Sequence, residues 1–240
     1  MLSESANYLR DGEDAVVTVA IGGVLLLASP LLIPSFLVLG YLTRVIRGTA
    51  DGDDEPPAFE AWGDLLIEGV KAFAVTFVYS LLPLAVLAVA AVFGIGAAVV
   101  GSGNGAGGLF GGLVGGLLAL LLVVVALVVS LAGVYVTPAA LAAVADSGRV
   151  GDGFAVGTLW SVVTKRAYAV GWLTAVAVVF AGSVAIGLLS VVPVVGTIAG
   201  FFVQFYAIVA AAAIIGWTWT DVRPVATETA ETEPAEGAVM

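Results

Sequence analysis

Residues 72–145 read AFAVTFVYSLLPLAVLAVAAVFGIGAAVVGSGNGAGGLFGGLVGGLLALLLVVVALVVSLAGVYVTPAALAAVA, 74 consecutive positions without an Asp, Glu, Lys or Arg. About 20 apolar residues cross about 30 Å of hydrocarbon, so the stretch holds two spanning helices. The glycine-rich stretch at 101–116, GSGNGAGGLFGGLVGG, supplies the turn between them. Moving outward, the gap between Asp14 and Arg44 has 29 uncharged residues and the gap between Arg166 and Asp221 has 54. By the same length rule these hold one and two spans. The last block divides at Pro193, in VVPVVG, since proline ends one helix and glycine opens the return.

Composition agrees with this partition. Of the 240 residues, 61% are hydrophobic and 11% charged, and the mean hydropathy is +1.14. A soluble domain carries roughly 25% charged residues, so this chain lacks the charge to cover a water-facing surface. Lipid offers the backbone no hydrogen-bond partners, and the strict alternation of a membrane barrel is missing. The fold class is therefore all-α: a polytopic integral membrane protein of about five transmembrane helices, near 15–42, 72–100, 113–138, 167–191 and 194–219. These form a single helical domain over 15–219, preceded by an acidic segment over 1–14 and followed by a disordered acidic tail over 220–240. The first block contains Ser29-Pro30 and Ile33-Pro34. It reads as one proline-kinked crossing, or as a hairpin that raises the count to six. Two full crossings need about 40 residues, which favours the kink.

Basic residues set the orientation. With five spans, Arg44, Arg47, Lys71, Arg149, Lys165, Arg166 and Arg223 fall on one side, leaving only Arg10 on the other. The positive-inside bias places that side in the cytoplasm of a cell membrane and the N-terminus outside. Tyr41, Trp62, Tyr135, Trp160, Tyr168, Trp217 and Trp219 fall near the same interface, as an aromatic belt should. The acidic first 14 residues oppose a signal-peptide reading.

Chemistry is scarce. Cys and His are both absent, which removes disulfides, thiol nucleophiles, imidazole acid–base catalysis and the common zinc and haem ligands. No span holds an ionisable residue, and Gln204 is the only carboxamide. Active transport and proton relays ordinarily need such groups. The expectation is a protein that is not an enzyme, has no catalytic residues, and binds no cofactor, metal or nucleic acid. Gly103, Gly105 and Gly108 match G-x-G-x-x-G, but no strand precedes them and no acid follows within 20 residues, so the dinucleotide reading fails. Small-xxx-small pairs such as Gly108/Gly112 and Gly112/Gly116 suit close helix packing within the chain.

Two segments read as interfacial helices. In 56–73, Phe59, Trp62, Leu66, Val70 and Phe73 share one face at helical spacing, and Glu60, Asp64 and Glu68 share another. The acidic stripe reads as a solvated face, with cation binding as the sharper option. An offset of 94 superposes Tyr41 on Tyr135 and Lys71 on Lys165, and 95 superposes Phe59 on Phe154, which suggests an internal repeat. The candidate membrane-interface or lipid-contact residues are accordingly Arg44, Arg47, Phe59, Trp62, Lys71, Phe154, Trp160, Lys165 and Arg166. The expected partners are the lipid bilayer and a protein docking on the cytoplasmic loops or acidic tail.

IGGVL at 21–25, Pro34, GYLTRVIR at 40–47, DGDDEPPAFEAWG at 51–63 and GVKA at 69–72 resemble the membrane family called domain of unknown function 4013. The acidic balance, net −10 with a pI near 4.2, resembles that of halophilic archaea. The resemblance implies a polytopic membrane protein without assigned activity. The loop, Phe-led helix and span also resemble membrane regions attached to glycerophosphodiester phosphodiesterases, whose catalytic domain is missing here. Two functions follow. The first is a non-enzymatic scaffold or accessory protein presenting interfacial helices, and the alternative is a passive channel or transporter for a small solute.

Overall fold

The computed structural model describes residues 4, 5, 8, 14–53, 55–103 and 105–224. It is all-α, as expected of a polytopic membrane protein. The helices are α1 (Ala15–Leu27), α2 (Leu32–Asp51), α3 (Trp62–Gly101), α4 (Ala106–Ser147), α5 (Val156–Val163), α6 (Arg166–Leu189) and α7 (Val195–Val222), with a 3-10 turn at Val150–Phe154 before α5. Among the described residues, α3, α4, α6 and α7 are long and apolar enough to cross a membrane, and α1 is a shorter apolar helix.

Three antiparallel hairpins, α1–α2, α3–α4 and α6–α7, point the same way. Their open ends meet at one pole, called the loop end, and their turns lie at the other, the tip end. The first hairpin corrects the expected kinked crossing. Gly22 of α1 and Tyr41 of α2 both pack on the ring of Phe205, although 19 helical residues would separate them by about 28 Å in one continuous rod. Tyr8 stacks edge-on against Trp217, with ring centroids 5.7 Å apart, and its hydroxyl donates to Glu55 O at 3.2 Å. Tyr8 therefore stands at the loop end, the same pole as the end of α7. Five spans would have put the two at opposite poles.

The sequence reading erred because it stopped the block at the first charge. α2 runs on through Arg44 and Arg47 to Asp51, where Gly52 (φ 95°) ends it and Asp53 N–H returns to Gly48 O at 2.9 Å. The 13 residues of α1 span only about 20 Å. Pro30 lies in the turn and ends α1, while Pro34 occupies the first turn of α2, where no helical N–H is needed.

α7 is the centre of the packing. It contacts α1, α2 and α6, and Phe205, Val209, Ala213 and Ile214 are fully enclosed. α2 crosses α3 through reciprocal glycines: Gly40 lies against Leu65 C=O and Gly69 against Phe36 C=O, so neither position has room for a Cβ. α3 and α4 pack together near the tip where Gly112 meets Gly101 and Gly115 meets Ala97. The 40 and 42 residues of α3 and α4 amount to about 60 Å of helix, well beyond a bilayer core. At the loop end the surplus is the first turns of α3 and the alanine-rich end of α4, where Ala139, Ala140, Ala142 and Ala145 are buried. The acidic tail from 225 and most of the N-terminal segment lie outside the described residues.

Candidate functional site

The charged residues gather at the loop end, where helix termini leave carbonyls without intrahelical partners. Arg47 Nε donates to Ala145 O at 2.6 Å in the last turn of α4, and Lys71 Nζ donates to Gly148 O at 2.9 Å just beyond it. Lys165 Nζ donates to Val222 O at 2.7 Å, at the last residue of α7. Cations there meet the negative end of the helix dipole as well as free lone pairs. Thr220 Oγ1 adds a bond to Ala50 O at 3.0 Å, tying α7 to α2.

One carboxylate organises α2 against α3. Glu68 Oε1 accepts from Arg47 at 2.8 Å, while Arg44 Nε stands 3.7 Å from Glu68 Oε2 and gives a further bond to Glu60 O. Arg223 pairs with Asp146 at 3.3 Å. Glu60, Asp64 and Glu68 therefore do not act as one stripe: Glu68 is engaged by arginines, and among the described residues no group of three acids stands close enough to hold a metal.

The nine interface candidates separate into two sets. Arg44, Arg47, Lys71 and Lys165 are engaged within the protein, and Phe59 is buried, stacked on Tyr41 at 4.2 Å. Phe59 is thus removed from any lipid-facing set. Phe154 is half-buried and stacks on Tyr79 at 5.8 Å. Trp62, Trp160 and Arg166 remain exposed. The expected surface helix over 56–73 is also corrected: 56–61 is not helical, and 62–73 forms the first turns of α3.

The repeat is half visible in three dimensions. Lys71 and Lys165 each sit at the start of a long hairpin and bind a carbonyl at the end of its return helix. The tyrosines differ. Tyr135 donates to Val163 O at 2.7 Å, whereas the buried Tyr41 hydroxyl has no partner among the described residues.

Sequence reasoning missed the carbonyl partners, which lie 57 to 98 residues away in the chain. The only signal was position: each lysine stands at the foot of a span. The family model described as a protein of unknown function, DUF4013, matches residues 23–216. The chain belongs to this family. No curated protein and no solved structure matches it. Several of the stretches that carry the DUF4013 resemblance fold into the contacts above, namely the crossing glycines Gly40 and Gly69 and the arginines around Glu68.

Proposed function

We propose that this DUF4013 protein is a non-enzymatic membrane scaffold whose loop end is its working surface. The observation that carries the reading is α5. Its Leu159, Val162 and Val163 are buried, while Val156 and Trp160, four residues apart, stand 76% and 68% exposed. A short helix clamped by one face and showing an apolar ridge on the other suits a lipid headgroup layer or a partner helix. A second ridge runs down the start of α3 through Trp62, Val70, Phe73 and Phe77, all exposed. The capped helix ends beneath make a rigid base for both. The excess of basic residues supports reading the loop end, and with it Tyr8, as the cytoplasmic face of a cell membrane.

The closed centre of the bundle favours a scaffold over a solute channel, because α7 fills the axis with enclosed side chains. Two measurements test this. Capture of the full chain from native membranes should retrieve a stoichiometric partner, and Val156→Ser with Trp160→Ser should release it without unfolding the bundle. Purified chain in vesicles should leave small-solute flux at the level of empty vesicles. Flux above that level, or a partner indifferent to both substitutions, would overturn the scaffold reading.

A further inference from the structure

Two cavities meet on one face of α4. The first, about 460 Å3, lies between α3 and α4 and is lined by Thr76, Ser80, Ser130 and Thr137 together with Pro83 and Pro138. The second, about 450 Å3, is an apolar groove between α4 and α6, lined by Phe180 of α6 together with Leu42 of α2 and Ala211 of α7. Val134 and Pro138 line both. At 100° per residue the two cavities occupy adjacent sectors of α4, so they are parts of one depression rather than opposite sides of the helix.

The hydroxyls of the first cavity have spent their protons. Thr76 donates to Ala72 O, Ser80 to Thr76 O, Ser130 to Ala126 O and Thr137 to Gly133 O, at 2.7 to 3.0 Å. What remains on each oxygen is lone pairs. Pro83 adds another acceptor, because it has no N–H to give Tyr79 O four residues earlier. That carbonyl faces Gly133, whose Cβ, if present, would stand 3.8 Å from it. Pro138 likewise frees Val134 O, but this one is taken by the Trp172 indole N–H at 3.2 Å. The cavity thus offers a cluster of acceptors and no charged side chain.

We propose that this depression binds a neutral lipid alcohol, its hydroxyl donating into the Thr76–Ser130–Thr137 cluster and its chain lying in the α4–α6 groove. Thr76 and Pro83 lie about 8 and 18 Å along α3 from Lys71, beneath the headgroup level. An unpaired ion at that depth would lack a counter-charge, which disfavours a cation or a fatty-acid anion. A soluble alcohol would leave the apolar groove without a ligand. The site is independent of whether α5 holds a partner.

The test uses full-length protein in phosphatidylglycerol–phosphatidylcholine vesicles. The probes are hexadecanol with a diazirine on its chain and the methyl ether of the same probe, with labelled peptides mapped by mass spectrometry. The alcohol should label α4 and α6 about fivefold more than the ether, the factor expected for one neutral hydrogen bond. Unlabelled hexadecanol should compete and glycerol should not. Thr137→Val with Ser130→Ala should bring the alcohol down to the ether's level. Ala211→Phe, which fills the groove and spares the hydroxyls, should suppress both probes. Equal labelling by alcohol and ether, a preference that survives the hydroxyl substitutions, or competition by glycerol would each overturn the proposal.

Discussion

The α3–α4 and α6–α7 hairpins are built to one plan and end in opposite situations. Each carries a lysine toward the loop end that reaches across to a carbonyl at the end of its return helix, Lys71 in the third turn of α3 to Gly148 and Lys165 just before α6 to Val222. Each closes at the tip through close glycine contacts, Gly101 with Gly112 and Gly196 with Leu189 C=O. Yet 56% of the apolar window of α7 is buried, against 6% for α4. The difference comes from outside the hairpins: α1 and α2 fold over α7 and leave most of α4 uncovered. Similar sequence can therefore make a core helix or a lipid-facing one, depending on which neighbour arrives. Within a bilayer this costs little, because lipid tails are as apolar as a protein core.

The plan requires that all hairpin turns share one side, and a labelling experiment either keeps or destroys it. Single cysteines at Gly103 and Val192 should react with an impermeant thiol reagent from one face of the membrane. Cysteines at Glu4, Gly52 and Gly148, none of them buried, should react only from the other. The effect is all-or-none. Labelling of Glu4→Cys together with Gly103→Cys would restore the single kinked crossing and break the comparison at its base.

Burial makes the next largest difference. Gly216 on α7 lies against Thr49 and Ile46 C=O, and Gly116 on α4 has nothing within 4 Å of where a Cβ would stand. Gly216→Leu should cost about 3 kcal/mol or abolish the folded state, since backbone cannot yield as a side-chain tip can. Gly116→Leu should change stability by less than about 0.5 kcal/mol. Thermal unfolding of detergent-purified protein, followed by fluorescence-detected gel filtration, separates the two. Equal effects would mean that α4 is also covered, for instance by another copy of the chain.

The lysines come third. Lys71→Met and Lys165→Met each remove a charged donor from a helix end, a loss of about 1.5–3 kcal/mol for such bonds. The Lys165 change should be the larger, because Val222 is fully buried and its carbonyl has less recourse to water. The same thermal assay ranks them. A larger effect at Lys71 would make α3–α4 the better-anchored hairpin.

The sequence carried the fold at the level of charge spacing. Runs of 74 and 54 uncharged residues hold two spans each, and the glycine and proline turns fell where the hairpins reverse. The 29-residue run misled because Arg44 and Arg47 were read as the end of a helix when they are its polar last turns, neutralised by Glu68 and by the end of α4. That neutralisation depends on residues 21 to 98 positions away, which local pattern cannot see. Phe59 misled for a related reason. Its helical spacing is not realised, because 56–61 is not helical, and its ring stacks on Tyr41, reached only when α2 folds back over the start of α3. The lysines were legible only as cations at the foot of a span, while the hydroxyl cavity was not legible, because scattered Ser and Thr converge only when α3 lies beside α4.

The finest distinction lies inside the α3–α4 hairpin, at its two internal prolines. Pro83 in α3 and Pro138 in α4 each free a carbonyl, and Val134 O takes a donor from another helix, the indole of Trp172 in α6. That bond links the two hairpins directly. Trp172→Phe should therefore destabilise the protein by about 1 kcal/mol, the worth of one hydrogen bond. Pro138→Ala gives Val134 O an N–H four residues on and makes the indole redundant. In that background Trp172→Phe should cost little, so the two substitutions should be coupled by about 0.5–1 kcal/mol in a double-mutant cycle. Additive effects would show that Trp172 acts through its ring packing on Tyr135, 5.2 Å away, rather than through its indole N–H.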